Sequence, residues 1–547
     1  MEFRLSLSFR LDPPARPPAA PDPALAAAEA HRAAGRPDAA LATLAALLTR
    51  APDSLPALHL QGVLLTETGA AEPALAPLRR AAALAPEDGR VHYHLGNALL
   101  ALDRLADAAA AYRAAIAADP GLADAHNNLG NVLRKQGREV AALDAYRAAL
   151  THRPGFAPAL YNMGLALGQL GEHAAAIDCY RAVLARPPGP GEAEKYRLVR
   201  ESLAASLVEC NDHAGAVEAC RAWLAMAPGA ALAEWNLGLS LLMQGDFAEG
   251  WRLYERRWEI EGFRDESERD QPLPVAPTLA ALTGQRVLIR REQGRGDLIQ
   301  FARYANLLSR HAARVTLTAY PELVALLGRM PGVAVIDEAA AEPAHDVAVS
   351  LMSLPLVLGT TLATVPASVP YLTPDPALVA AWRARLGAVP GVRQVGLCWW
   401  GSDHSRRSSI PVEELARLLD LPGFRFHALQ PEIPPPQRGF VASRPELVTH
   451  EGELVDFDAT AALIAALDLV VTIDTSVAHL AGALGRPVLI LLRYSPDWRW
   501  LRERTDSPWY PTARLFRQGP ERDWAGPIRD VRAALAAGAT GLPTLGG

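Results

Sequence analysis

One period runs through the first half of the chain. Pro52, Pro86, Pro120, Pro154 and Pro188 stand 34 residues apart, as do Gly62, Gly96, Gly130 and Gly164, and as do Ala74, Ala108, Ala142 and Ala176. Three residue types in step at one interval confine this stretch to an array of helix pairs, in which each unit buries its apolar face only against its neighbours. The spacing predicts that glycine and alanine mark where the two helices of a unit touch, since a larger side chain would hold them apart. The proline ends the second helix and sets the turn into the next unit. Tyr112, Tyr146 and Tyr180, again in register, are expected to fill the seam between helices, and Gly69, Gly137 and Gly171 to close the first helix in the left-handed conformation. Such an array is a binding scaffold, so chemistry falls to the rest of the chain.

Composition narrows the classes. The 547 residues carry a net charge of −6, which lacks the basic footprint of a nucleic-acid binder. Cys179, Cys210, Cys220 and Cys398 form no C-x-x-C pair and no zinc-spaced cluster, so free thiols, a reducing compartment and no metal site are expected. The opening MEFRLSLSFRLDPPARPPAAP is broken by Arg4 and Arg10 and makes a poor signal peptide. No apolar run approaches a transmembrane length. A cytoplasmic protein without a transmembrane segment is the expectation.

Residues 1–23 read as a flexible leader and 24–260 as the repeat array, with PPGPGE at 187–192 interrupting the step. The array ends in WRLYERRW, which suits either docking onto a second domain or capping the last apolar face. A linker follows at 261–285. Thereafter short β-rich runs alternate with amphipathic helices, in two sets that place an N-terminal lobe at 286–375 and a C-terminal lobe at 376–547. The fold expected is an α superhelix followed by two Rossmann-like α/β lobes, with a ligand cleft at the carboxyl ends of the strands.

Three segments carry candidate chemistry. In LVVTIDTSVAHLAGALG a buried strand ends at Asp474, and Thr475 and Ser476 open a helix whose free N–H groups and dipole suit a phosphate or diphosphate. His479, one turn further, reaches the same anion or else is a satisfied core histidine, and Thr475 or Ser476 equally suits a plain N-cap. In REQGRGDLIQFARY, Gly294 and Gly296 make a loop after the first strand, and Asp297 sits at the helix start as a general base or a cap. In WWGSDHSRRSSIP, Arg406 and Arg407 suit a diphosphate. Trp399 and Trp400 suit a sugar or base pocket or plain core packing, and His404 a ligand contact or a loop position. The D-x-D pair Asp456 and Asp458, a pattern of some metal-dependent sugar transferases, comes just before a helix, and Asp458 reads as its cap.

With these motifs in view the chain resembles bacterial tetratricopeptide proteins whose C-terminal half is similar to the heptosyltransferases of glycosyltransferase family 9. More remotely its layout is similar to protein O-GlcNAc transferases. The resemblance rests on WNLGLSLLMQGDFAEGW, REQGRGDLIQFARY, LMSLPLVLGTTL with VPASVPYL, and IDTSVAHLAGALGRPV with SPDWRWL and DSPWYPTARLFRQ. It implies a GT-B fold and inverting, metal-independent transfer from a nucleotide-diphosphate sugar, which is a co-substrate; no cofactor is implied. The residue matching the family's proposed base is Asp297, and those matching its diphosphate-holding element are Asp474, Thr475 and His479, with Ser476 beside them. The chain departs from the family pattern after VGLCW, where W-G-S-D replaces A-G-N-P and Ser408 takes the place of the basic residue, leaving Arg407 one position earlier.

The activity expected is therefore sugar transfer to a protein or glycan acceptor presented by the repeats. Asn97 and Asn131, like Asn128 and Asn162, are 34 apart and suit an acceptor groove that grips a peptide backbone, or else bonds between neighbouring helices. Two rivals stand beside it: a non-catalytic scaffold with a degenerate GT-B half, and a nucleotide-sugar epimerase.

Overall fold

A computed structural model describes residues 22–260, 263, 276–387, 389–401 and 408–537. The chain forms two compact units, one up to Val199 and one from Arg200 on, divided within the helix Ala193–Glu209.

The first unit is the repeat array. Its helix pairs are Pro23–Ala33 with Pro37–Arg50, Leu55–Glu67 with Ala71–Leu84, Gly89–Ala101 with Leu105–Ala118, Ala123–Lys135 with Glu139–His152, and Ala157–Gln169 with His173–Leu184. The periodic glycines sit where the partner helix comes closest. A methyl on Gly62 would meet Leu78 at 2.3 Å, and methyls on Gly96, Gly130 and Gly164 would meet the rings of Tyr112, Tyr146 and Tyr180 at 2.6, 2.4 and 2.5 Å. These tyrosines and the four periodic alanines are buried, because only a missing or minimal side chain opposite leaves room for a ring in the seam. Gly69, Gly137 and Gly171 adopt left-handed φ of +83°, +69° and +83° at the ends of first helices.

The second unit opens with the helices His213–Met226, Ala231–Gln244 and Phe247–Tyr254 and a 3₁₀ turn at Glu255–Glu259. Two parallel sheets follow. The first contains β1 (Arg286–Arg290), β2 (Arg314–Ala319), β3 (Val333–Asp337) and β4 (Val347–Ser350), in the order β3-β2-β1-β4. The second contains β5 (Arg393–Cys398), β6 (Phe424–Ala428), β7 (Leu447–Val448), β8 (Leu469–Ile473), β9 (Val488–Leu492) and β10 (Ala513–Arg517), in the order β10-β9-β8-β5-β6-β7. All pairings are parallel. Continuous apolar runs such as VLILL in β9 are buried along their whole length, which is what strands covered by helices on both faces require.

The strand orders fix where a ligand can sit. In the first sheet the order reverses between β1 and β4; in the second it reverses between β5 and β8. Connections leaving neighbouring strands in opposite directions open a crevice at their carboxyl ends. Cys398 of β5 lies opposite Thr472 of β8, so both strands deliver their following loops at one level.

The aromatic-basic segment at the end of the helical region is built into the first sheet's core. Phe247, Trp251 and Tyr254 are buried in one cluster with Phe301, Trp498 and Trp509. The Trp251 ring stands edge-on to Trp498 at 5.1 Å. Arg257, fully buried, grips Glu292 through two bonds of 2.6 and 2.9 Å and also donates to Glu255 (2.7 Å) and Ser353 Oγ (3.0 Å). Burial opposes its charge, but Glu292 and Glu255 outweigh that, so the guanidinium is held charged more firmly than usual. This network holds the loop after β1, two residues before Gly294.

Candidate functional site

A cleft of about 1170 Å³ opens at the carboxyl ends of the strands. Its walls come from the loops after β1 (Gln293 to Asp297), β5 (Trp400, Gly401), β6 (Leu429 to Pro435, with Arg438) and β8 (Thr475 to Val477). Of the residues singled out in the sequence, Gly294, Gly296, Asp297, Trp400, Thr475 and Ser476 line it, Trp399 is buried with its indole N–H on Gln437 at 2.9 Å, and Asp474 and His479 stand next to the cleft without forming its wall. Arg406 and Arg407, with His404, lie outside the described residues. The described cations on the cleft wall are Arg295 and Arg438.

Two helix starts meet across this cleft. The helix Arg295–Leu308 carries Asp297 in its first turn, and the helix Ser476–Ala483 starts from Thr475, whose side chain makes no cap bond. The two pack so closely that a methyl on Gly296 would stand 2.9 Å from His479 Cδ2 and 3.5 Å from the Ser476 Cα. Glycine at 296 is therefore a condition of the two loops facing each other. The first N–H groups of the second helix, aided by its dipole, make an anion-binding start.

Asp297 is held from two sides. One carboxylate oxygen accepts the Gly294 N–H at 2.9 Å, and the other accepts from Arg499. Burial pushes its carboxyl above the ordinary value, opposed by Arg499 and the Gly294 N–H. Arg499 is itself buried, bonds Asp497 at 2.7 Å and lies over the Trp498 ring at 4.5 Å. Burial works against its charge, and Asp297 and Asp497 more than restore it. Asp474 keeps some exposed surface, yet desolvation and the charge of Asp497 lift its carboxyl to about 7. His479 is buried, stacked on Trp500 at 5.4 Å with its Nδ1 3.0 Å from the Tyr510 hydroxyl. Burial keeps that imidazole neutral, far below its usual pKa.

The asparagines of the repeats are joined to one another and to the seam tyrosines. Asn97 Oδ1 accepts from Tyr112 (2.8 Å) and from Asn128 (3.0 Å), Asn131 Oδ1 accepts from Tyr146 (2.9 Å), and Asn162 donates to Asn127 (3.0 Å).

Arg499, Asp497 and the loop after β6 are the cleft-side residues that sequence reasoning left without a role. The one signal for Arg499 was its place between two tryptophans in DWRW, where a charge among large rings must find a buried partner. Glu432 and Arg438, in a proline-rich loop, carry no local pattern at all.

Comparison with known proteins fits this architecture. The tetratricopeptide repeat family model matches residues 25–89, 93–159, 161–231 and 202–262, and the model for glycosyltransferase family 9 (heptosyltransferase) matches residues 453–522. The chain therefore carries tetratricopeptide repeats through its N-terminal region and a family 9 match in its C-terminal region. Protein FlbA of Caulobacter vibrioides is 29% identical over 326 residues, which is 54% of this chain and 53% of that protein. The chain thus spans about half the length of that curated relative. Solved structures similar to parts of the chain include MamA (26% identity, TM-score 0.28, 29% of this chain and 92% of that one). PilW, a type IV pilus biogenesis factor, is also similar (19%, 0.35, 39% and 95%). So is YrrB, a TPR protein with an unusual peptide-binding site (20%, 0.30, 35% and 95%). Among the described residues no helix is long and apolar enough to cross a membrane.

Proposed function

We propose that the protein is a glycosyltransferase with a two-lobed GT-B half, moving a sugar from a nucleotide-diphosphate donor to an acceptor presented by the repeats, in the cytoplasm. The reading rests above all on one observation: Asp297 and the uncapped helix start at Thr475 share one cleft at the switch points of two parallel sheets. The donor diphosphate lies on the N–H groups of Ser476 and Val477, with the Thr475 and Ser476 hydroxyls beside it, and Arg295 and Arg438 add positive charge. Arg406 and Arg407 serve the same leaving group. Asp297 removes the proton from an acceptor hydroxyl. The acceptor oxygen forms a bond to the anomeric carbon as the bond from that carbon to the phosphate oxygen breaks, and the nucleoside diphosphate leaves. Attack opposite the leaving group inverts the anomeric centre. Arg499 holds Asp297 in its anionic form, while desolvation keeps that anion basic. No metal enters this scheme, as the family resemblance implies.

Calorimetry with UDP, ADP and GDP, followed by transfer assays on Asp297→Asn, tests the proposal. The folded protein should bind a nucleoside diphosphate. The variant should keep that affinity while transfer falls by roughly 10²–10⁴-fold. A folded protein that binds no nucleoside diphosphate is a scaffold. Conversion of the sugar without an acceptor identifies an epimerase.

A further inference from the structure

A second cavity, of about 460 Å³, lies within the second unit between its helices and the loop after β9. Helix Ala193–Glu209 contributes Val208, helix Ala231–Gln244 contributes Trp235, Leu239 and Met243, and the loop contributes Arg493 and residues 495–499. The loop is held by side-chain hydroxyls on backbone carbonyls: Ser495 Oγ donates to the Val208 carbonyl at 2.8 Å, and the Tyr494 hydroxyl to the Cys210 carbonyl at 3.2 Å. The cavity is not a hydrophobic void. Among the described residues, His213 is 2% exposed with no hydrogen-bond partner for either ring nitrogen, Ser240 is 1% exposed with none for its hydroxyl, and the Trp235 indole N–H has none either. Burying such groups without partners is costly, and their grouping on one cavity wall points to a ligand that supplies the bonds. Burial lowers His213 to about 4, so it faces the cavity as a neutral ring, one nitrogen donating and one accepting.

The cavity and the cleft share a wall residue. Gln293 lines both, and Arg499, which lines the cavity, is the residue that holds Asp297.

We infer that this cavity is the acceptor subsite and that it takes an uncharged, apolar-flanked segment of polypeptide, whose hydroxyl-bearing residue reaches Asp297 past Gln293. This deepens the transferase reading and rests on it. The ligand class follows from the wall. Aliphatic and indole surface leaves place for apolar side chains, and a few neutral donors and acceptors match a backbone amide. Arg493, Asp497, Arg499 and Glu209 bring charges of both signs, which select for no net charge.

The test uses the full chain and two variants. Ala205 lines the mouth on an exposed helix face, so Ala205→Trp narrows the entrance without entering the core. Ser240→Ala deletes one unpaired hydroxyl. The probe is an equimolar pool of N-acetylated, C-amidated octapeptides with one Ser or Thr among Val, Leu and Ala, titrated by tryptophan fluorescence, with maltoheptaose as the glycan arm. The pool should bind saturably, weaken at least tenfold in Ala205→Trp and several-fold in Ser240→Ala, and leave nucleoside-diphosphate affinity unchanged. Three results overturn the inference: peptides binding Ala205→Trp as well as wild type, no peptide binding to a protein that binds nucleoside diphosphate, or maltoheptaose binding that Ala205→Trp abolishes. Loss of nucleoside-diphosphate binding in the wild type sinks the transferase reading instead, and the peptide arm still judges the cavity.

Discussion

Removing the Arg257 side chain should cost the second unit about 3–5 kcal/mol, the range for stripping one partner from a buried ion pair. The geometry places it there. Arg257 is fully buried and Glu292 is 9% exposed, with a two-bond contact of 2.6 and 2.9 Å between them. Arg257→Ala leaves Glu292 with the Ser350 hydroxyl and a 3.4 Å contact from Gln293, neither of which carries a charge. The guanidinium also stacks over Tyr254 and Trp258 at 4.7 and 4.4 Å, so packing is lost as well. In a unit of this size each kcal/mol moves the melting temperature by about 1–2 °C, so a fall of roughly 3–10 °C is expected. Denaturant unfolding of Arg257→Met, Glu292→Gln and the double variant supplies the decisive comparison. The double variant should be more stable than the sum of the single losses implies, by about 2 kcal/mol, because the uncompensated charge is gone. An Arg257→Ala protein within 1 kcal/mol of wild type, or singles that simply add, would refute the assignment of this pair as the tie between the helical segment and β1.

In the array, Gly130→Ala should cost about 1–3 kcal/mol by overpacking, since its methyl would meet the Tyr146 ring at 2.4 Å; unchanged thermal unfolding would show that the ring has room to move. Asp474 supplies a pH dependence. Its carboxyl sits near 7 in the folded protein, well above its ordinary value, so its stabilising contribution is full below about pH 4 and is lost as pH rises through about 7. Nucleoside-diphosphate affinity should fall over the same upper limb, between about pH 6 and 8, as a negative charge forms beside the anion site. Asp474→Asn should flatten that limb, which titration calorimetry at several pH values reads directly.

Local patterns carry some of this protein and long-range pairing carries the rest. The register of the repeats is legible because each contact repeats at one interval: Gly130 announces a close approach, and Tyr146 sixteen residues on is the ring that fills it. Strand, glycine loop and helix start are likewise written consecutively around Asp297 and around Thr475, so each segment shows its local form. That the two starts face each other is not written there. It depends on two strand orders and on the clearance at Gly296 beside His479, which belongs to packing between residues 183 apart in the chain.

The charges show the same division. Asp297 and Arg499 are 202 residues apart, and Arg257 and Glu292 are 35 apart with 11 other arginine or acidic residues between them, none of which the sequence pattern separates from a surface charge. Sequence determined the period, the helix starts and the alternation of strand and helix, because those follow from side-chain size and backbone geometry within a few residues. Tertiary structure alone decided which arginine meets which carboxylate, and which buried hydroxyl and imidazole are left without a partner, because those depend on desolvation that exists only once the layers close.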